Sequence, residues 1–517
     1  MLNRLLLIPL LALAGCSVNP VTGERNLNFM SEDWERSIGA QQYAPLRQAQ
    51  GGDFILDPEL TGYVRDVGNS LAEHAKRDLD WEFHILNDST PNAWALPGGK
   101  IVVNRGLLTE MESEAELAAV LGHELVHADA AHGARAQSKG VLTQVGAVGG
   151  MVLLGTQVDD QTLQQVGMLG IQVGAQLVTT KYGRDAERES DLYGMQYMSA
   201  AGYDPQGAVE LQETFVELSE GRNQDWMSGL FASHPPSRER VENNKATAAT
   251  LPDGGVMGRE RYQQKMAYLR SVQPAYDAYD KGRKALAEED TREALSYADQ
   301  AIDQEPKEAL FYALRGDAHA VNKDYRQAER AYSDSLRRDE NFFYYYLRRG
   351  QVRHEMKKFA ASRTDLERSV QLLPTSQANL LLGNIAQNSG DQASAFKYYQ
   401  AAAADGTTPA GQSAQRQVVR LDLPSNPGKY IRVQAIPVQG NRVSVAVGNA
   451  SPVSVRRVLL QIRYIDANGQ VRQYNQNVDQ TIGSQQQVQV STKLTGIPAS
   501  QLSQRVAVTV VGAQVAN

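Results

Sequence analysis

Residues 113–136 read SEAELAAVLGHELVHADAAHGARA, and their spacing predicts one helix carrying His123, Glu124 and His127. Ser113 with Glu116 three residues on is a capping-box start, and Leu117, Val120, Leu121 and Leu125 give the helix a buried side. At about 3.6 residues per turn, positions four apart lie one above the other, so His123 and His127 can offer two imidazoles to a single ion. Glu124 stands one step round the helix. Neutral imidazole suits zinc, and a carboxylate beside a metal-activated water can take its proton. Two ligands do not complete a site, so the rest of the chain has to supply a third.

The third ligand should be a carboxylate or imidazole on a helix that packs against the first. A metzincin arrangement is excluded, because Ala130 and Gly133 stand where that pattern needs glycine and histidine. Downstream, KYGRDAERESDLYGMQYM (181–198) puts Glu187 and Asp191 four apart on one helix face, with Glu189 as a rival donor.

HELVH followed by Arg184-x-x-Glu187-x-x-x-Asp191 resembles the gluzincin family of the CAAX prenyl protease, HtpX and BepA. The resemblance covers about 30–250. It implies a zinc metallopeptidase in which His123, His127 and Glu187 hold one zinc ion per chain, Glu124 is the general base and Asp191 orients a ligand histidine. PNAWALPGGKIVVNRGLL (91–108) is similar to the family's edge strand, which implies that Ile101, Val102, Val103 and Asn104 pair with substrate backbone. SHPPSRERV (233–241) is similar to its late His-Pro motif. His234 is then either an oxyanion donor or a reversible fourth zinc ligand, with Arg240 in support. Gly183 and Ser190 stand where the family often has serine and alanine.

The 517 residues suggest roughly three domains, and 42% hydrophobic with 21% charged residues is ordinary soluble usage. A net charge of −7 without a basic patch sets nucleic acid aside as a partner. The opening MLNRLLLIPLLALAGCSVNP (1–20) is a secretory signal too short to span a bilayer, and Leu13-Ala14-Gly15-Cys16 resembles the bacterial lipobox. That resemblance implies a signal peptide over 1–15 and a lipid on Cys16, the chain's one cysteine, with Ser17 directing the protein to the outer membrane.

Between Gly140 and Thr180 two Gly-rich apolar runs predict a helical hairpin packed on the catalytic helix. Gly282, Gly316, Gly350 and Gly383 follow at intervals of 34, 34 and 33, and Ala294, Ala328, Ser362 and Ala395 each fall twelve after their glycine. This is the tetratricopeptide period, which predicts four stacked helix pairs over 273–405 with a concave peptide-binding surface. FFYYYLRR (342–349) supplies either core packing or contacts on that surface. From 425 onward five alternating runs separated by turns predict a small β-sandwich.

The expected fold is a multidomain α+β chain: a mainly helical peptidase domain with a small sheet over 16–265, a tetratricopeptide α-solenoid over 273–405 and a β-sandwich over 425–517. The expected function is a periplasmic zinc metalloendopeptidase, lipid-anchored to the outer membrane, that degrades misfolded or misassembled envelope proteins and reaches outer-membrane assembly machinery through its repeats. The alternative is a non-proteolytic envelope assembly factor or chaperone. His132 reads as a surface or capping residue, and His74, His84, His319 and His354 as structural.

Overall fold

The computed structural model describes residues 16–140, 182–221 and 230–516. The signal segment and the apolar hairpin expected between Gly140 and Thr180 lie outside them. The chain divides into two units, Met1–Tyr345 and Tyr346–Asn517, and is mostly helical with small sheets. No helix of the described residues is long and apolar enough to cross a membrane.

The first unit opens with an antiparallel pair, β1 (Cys16–Val18) and β2 (Arg25–Leu27). Helices Glu32–Ala49 and Pro58–Ala72 follow, capped by the side chains of Ser31 and Asp57, the second with proline at its first turn where no N–H is needed. A three-stranded sheet then runs in the order β3 (Glu82–Leu86), β5 (Lys100–Asn104), β4 (Ala93–Leu96), with β5 parallel to β3 and antiparallel to β4. Trp94, Leu96 and Val102 pack against Tyr43 and Leu46 of the first of these helices, each such burial stabilising by about 1.5–3 kcal/mol.

The expected role of Ile101, Val102, Val103 and Asn104 fails here. Both edges of β5 are taken by neighbouring strands, so its backbone has no free edge for a substrate. Alternation and the neighbouring turns mark these residues as a strand, but only the pairing decides which strand is central. Among the described residues the unpaired edge next to the HELVH helix belongs to β4 (Ala93–Leu96).

The HELVH helix spans Glu114–Asp129 and starts with the complete Ser113/Glu116 capping box. Its first turn meets a 29-residue helix, Arg259–Ala287, which runs without a break through the first repeat position. Gly258 has φ 65° at the start of that helix and a Cβ there would lie 2.7 Å from Glu114 Cβ, so both backbone and space require glycine. Tyr262 donates to the Leu108 carbonyl, ahead of the HELVH helix, at 2.7 Å, and the Ala115 N–H in that helix donates to Met257 at 3.1 Å.

Helix pairs Arg259–Ala287 with Thr291–Gln304 and Ala309–Val321 with Tyr325–Leu336 complete the first unit. A Cβ on Gly282 would meet Leu314 at 2.6 Å and one on Gly316 would meet Tyr332 at 2.7 Å, which is why the period carries glycine. Phe342 and Tyr345 are buried, so these two aromatics of FFYYYLRR are core.

In the second unit, Ser376–Asn388 pairs with Gln392–Ala403, and Pro409–Asp422 follows. Ser362 keeps the repeat's small-residue position, is buried, and donates to the Gly350 carbonyl at 2.7 Å. The chain ends in two antiparallel three-stranded sheets. One runs in the order β10 (Gln487–Thr495), β7 (Arg442–Asn449), β6 (Ile431–Val438), and the other β11 (Val506–Val515), β8 (Val455–Ile465), β9 (Val471–Val478). Val443, Val445 and Val447 of β7 and Val458, Leu460 and Ile462 of β8 share one apolar core.

Candidate metal centre

Two helices supply the motif residues. At its C-terminal end the HELVH helix is held by Asp129, whose buried carboxylate accepts from the backbone N–H groups of Lys76 and Arg77 at 2.9 Å each and from Tyr197 at 2.7 Å. Those three donors offset the unfavourable placement of an anion at a helix C-terminus. Tyr197 belongs to the second motif helix, Arg184–Ala200, which carries Glu187 and Asp191 on its buried face. His234 follows the short helix Leu230–Ser233, and Arg240 lies in the first turn of Arg238–Ala248, whose cap is Ser237.

His123, His127, Glu187 and His234 bring one ligand atom each to within 4.8 Å of one another. Nε2 of His123 lies 3.1 Å from Nε2 of His127 and 3.3 Å from Nδ1 of His234. The Glu187 carboxylate stands 3.5 Å from each of the two HELVH nitrogens and 3.0 Å from His234 Nδ1. The five separations above, 3.0–3.5 Å, are close to the roughly 3.3 Å between ligands held tetrahedrally at zinc distances. Four bases facing inward at these separations, three of them imidazoles, fit that ion.

Charge around the quartet is matched. Asp191 Oδ1 is 2.9 Å from His123 Nδ1, the outer nitrogen of that ligand. Arg240 grips the same carboxylate with Nε and Nη2, both at 2.7 Å, and its Nη1 lies 3.3 Å from Glu187. Burial opposes charge at His123, but Asp191 and Glu187 outweigh it and push the imidazole up to about 10. At His127 burial wins and holds the ring well below its ordinary value. Burial also opposes charge on Glu187, yet hydrogen bonds from His123, His127 and His234 keep its carboxyl far below the usual range. Burial pushes the Glu124 carboxyl up, against the pull of His234 and His123. One oxygen of Glu124 is 3.6 Å from His234 Nε2, and the other is buried with no hydrogen-bond partner. Beside it Ala119, Val120, Met195, Leu211 and Phe215 line a cavity.

The geometry thus gathers Glu124, His123, His127, Glu187, Asp191, His234 and Arg240 in one place. It differs from expectation at Arg240 and at His132. Arg240 was expected to support His234 or an oxyanion; its donors are taken by Asp191, Glu187 and the Pro235 carbonyl, so its reach is to the ligand carboxylates and the His234 loop. As expected, Glu187 and not its rival Glu189 is among the four donors; Glu189 lies 3.3 Å from His132 Nε2. His132 is 2% exposed rather than a surface residue, with Nδ1 2.9 Å from His127 Nδ1. Helical spacing misses it because Ala131, at φ 55°, breaks the helix between the two histidines. Tyr182, which no motif marked, stacks on His127 with centroids 4.1 Å apart.

Comparison with known proteins follows the same residues. Residues 58–248 match the model of Peptidase family M48. Over 226 residues the chain is 34% identical to "Mitochondrial metalloendopeptidase OMA1" of Schizosaccharomyces pombe, covering 43% of this chain and 63% of that one. It is 33% identical over 224 residues to "Beta-barrel assembly-enhancing protease" of Yersinia pestis, covering 42% and 45%, and 29% identical over 252 residues to that of Escherichia coli K12, covering 47% and 48%. The chain thus spans between 45% and 63% of the length of these relatives. Among solved structures, the Arabidopsis OM64 TPR domain aligns at 20% identity and TM-score 0.22, over 23% of this chain and 98% of that one. Sequence match and four-donor geometry coincide in the first unit: residues 58–248, which match the Peptidase family M48 model, contain all four donors.

Proposed function

We propose that this chain is a periplasmic zinc metalloendopeptidase, anchored to the outer membrane through lipid on Cys16, that cleaves unfolded or misassembled envelope proteins. The observation that carries the reading is the quartet of His123, His127, Glu187 and His234 with the buried carboxylate of Glu124 against it. His123, His127 and Glu187 would hold the zinc. Zinc supplies Lewis acidity there, polarising a peptide carbonyl and acidifying water. Glu124 takes the proton of the attacking water and returns it to the leaving amine, a task that its raised carboxyl suits. Asp191 holds His123 in the ligand tautomer, and Arg240 holds Asp191 and Glu187.

An extended substrate adds as a strand to the open edge of β4, so that backbone hydrogen bonds rather than side chains dominate recognition. The apolar cavity beside Glu124 receives a substrate side chain. His234 is the reversible fourth ligand: in place it closes the shell, and a client that displaces it opens the site. The helix pairs act as a tetratricopeptide α-solenoid that captures client or assembly-machinery peptides, and the two C-terminal sheets form a β-sandwich that docks. The relatives named as β-barrel assembly-enhancing proteases support the envelope setting.

A second reading, a non-proteolytic assembly factor, is favoured by the same closed shell, since structural zinc sites fill all four positions. One comparison separates them: cleavage of an unfolded protein by a Cys16→Ser form, by the same form with Glu124→Gln, and by it with His234→Ala, with zinc content measured in each. Cleavage lost in Glu124→Gln while zinc stays bound supports the peptidase. Zinc-dependent cleavage absent from all three supports the assembly factor.

A further inference from the structure

A second line of contacts leaves the quartet through His127. With Nε2 of His127 turned toward the other ligands, its ring proton belongs on Nδ1, which lies 2.9 Å from His132 Nδ1. His132 then accepts there, and its own proton sits on Nε2. That nitrogen makes no hydrogen bond, and its contact with Glu189 Oε1, 3.3 Å away, is one of charge at ion-pair distance. Asn19 Nδ2 donates to the same oxygen at 2.6 Å, and Arg135 Nη2 to the other carboxylate oxygen at 3.4 Å. Ser190 Oγ, 3.5 Å from His132 Nδ1, is the competing partner of that nitrogen. A single arrangement of protons serves the whole line.

We propose that Asn19, Glu189 and His132 form a positioning line for His127, so that the segment next to Cys16 takes part in holding the metal. The inference rests on His127 being a ligand. Metal-bound histidines commonly donate their outer N–H to a carboxylate or carbonyl, and that partner fixes tautomer and ring orientation. Here an imidazole is interposed, and it carries the carboxylate's influence outward to Asn19. Asn19, His127 and His132 are each 2% exposed, and the Glu189 side chain between them is 15% exposed. The Asn19 amide is held one way round, because its Oδ1 accepts from the Val21 N–H at 2.9 Å and leaves Nδ2 for Glu189. A second tie keeps the segment in register: Ser138 Oγ donates to Asn28 Oδ1 at 3.3 Å and accepts from the Phe29 N–H at 3.2 Å.

The test measures zinc dissociation constants of the full chain by competition with a chromogenic chelator, and the visible absorption of its cobalt form. The variants are Asn19→Asp, Glu189→Gln, His132→Ala and the Asn19→Asp/His132→Ala pair. Asn19→Asp keeps the acceptor that caps Val21 and removes the donor to Glu189. Each single change is expected to weaken zinc about 10- to 100-fold and to alter the cobalt bands. The pair should be no weaker than the worse single, because both act through one line. If His132→Ala does not fold, Asn19→Asp and Glu189→Gln carry the test. Unchanged zinc affinity and cobalt spectrum in those two, or effects that simply add in the pair, would overturn the proposal. A wild-type chain that binds no zinc sinks the metal site itself, which is a different result from tight wild-type binding with unmoved variants.

Discussion

Gly122 and Gly194 meet backbone to backbone where the two motif helices cross: a Cβ on Gly194 would lie 3.0 Å from both the Gly122 carbonyl carbon and the His123 nitrogen. His123 follows the first glycine directly and Asp191 lies three residues before the second, so this crossing sets their 2.9 Å contact. Gly194→Ala gains about 1 kcal/mol of helix propensity, but neither backbone can yield, and overpacking costs about 1–3 kcal/mol. We expect a lower melting temperature and zinc bound about 10-fold more weakly. A more stable variant with unchanged zinc affinity would show that the crossing is not what fixes the site.

Asp191 and Arg240 form a buried two-point ion pair. Removing either partner strands the other charge, so Asp191→Ala and Arg240→Ala should each lose about 3–5 kcal/mol in denaturant unfolding. The double variant should lose less than the two losses added together. Strict additivity would mean that the two do not depend on one another.

His234 occupies one corner of the quartet. If the closed form is about 90% of the molecules, His234→Ala should raise cleavage of an unfolded substrate about 10-fold. Zinc should stay bound, since three ligands remain. Slower cleavage with zinc retained would assign His234 to the oxyanion instead.

Asp339 offers a pH prediction away from the metal. Burial pushes its carboxyl from 3.8 up to about 6, although it accepts from the Asn341 N–H at 2.8 Å. An acid whose pKa is raised by folding contributes stability below its unfolded pKa and loses it as pH rises through the folded one. Asp339→Asn keeps the acceptor without the charge, so it should be more stable than wild type at pH 8 by about 1–3 kcal/mol. The gap should close between pH 6 and pH 4. Melting curves at the two ends decide it, and a difference that does not vary with pH would count against the assignment.

The HELVH helix, its capping box and the Glu187/Asp191 pair were legible because local spacing determines them, and so were the repeat glycines, each of which has a large neighbour where its Cβ would go. Pairing between strands was not. Nothing in KIVVN distinguishes a central strand from an edge, and the substrate edge moves to Ala93–Leu96 only once both partners of β5 are known. His132 hid behind the left-handed Ala131, and Asn19 meets Glu189 across 170 residues of chain. Contacts of that separation leave no periodic trace.

The unbroken helix Arg259–Ala287, about 43 Å long, begins in contact with the helix that bears Glu124 and ends packed on the next helix of the array. Pro274 lies inside it and removes one hydrogen bond from the run. At its start Gly258 lies against Glu114 and Met257 accepts from the Ala115 N–H, both in the first turn of the HELVH helix, while Tyr262 donates to the Leu108 carbonyl ahead of it. A protease that nicks this rod would therefore cut through a shared beam, and neither half would come away as an intact body.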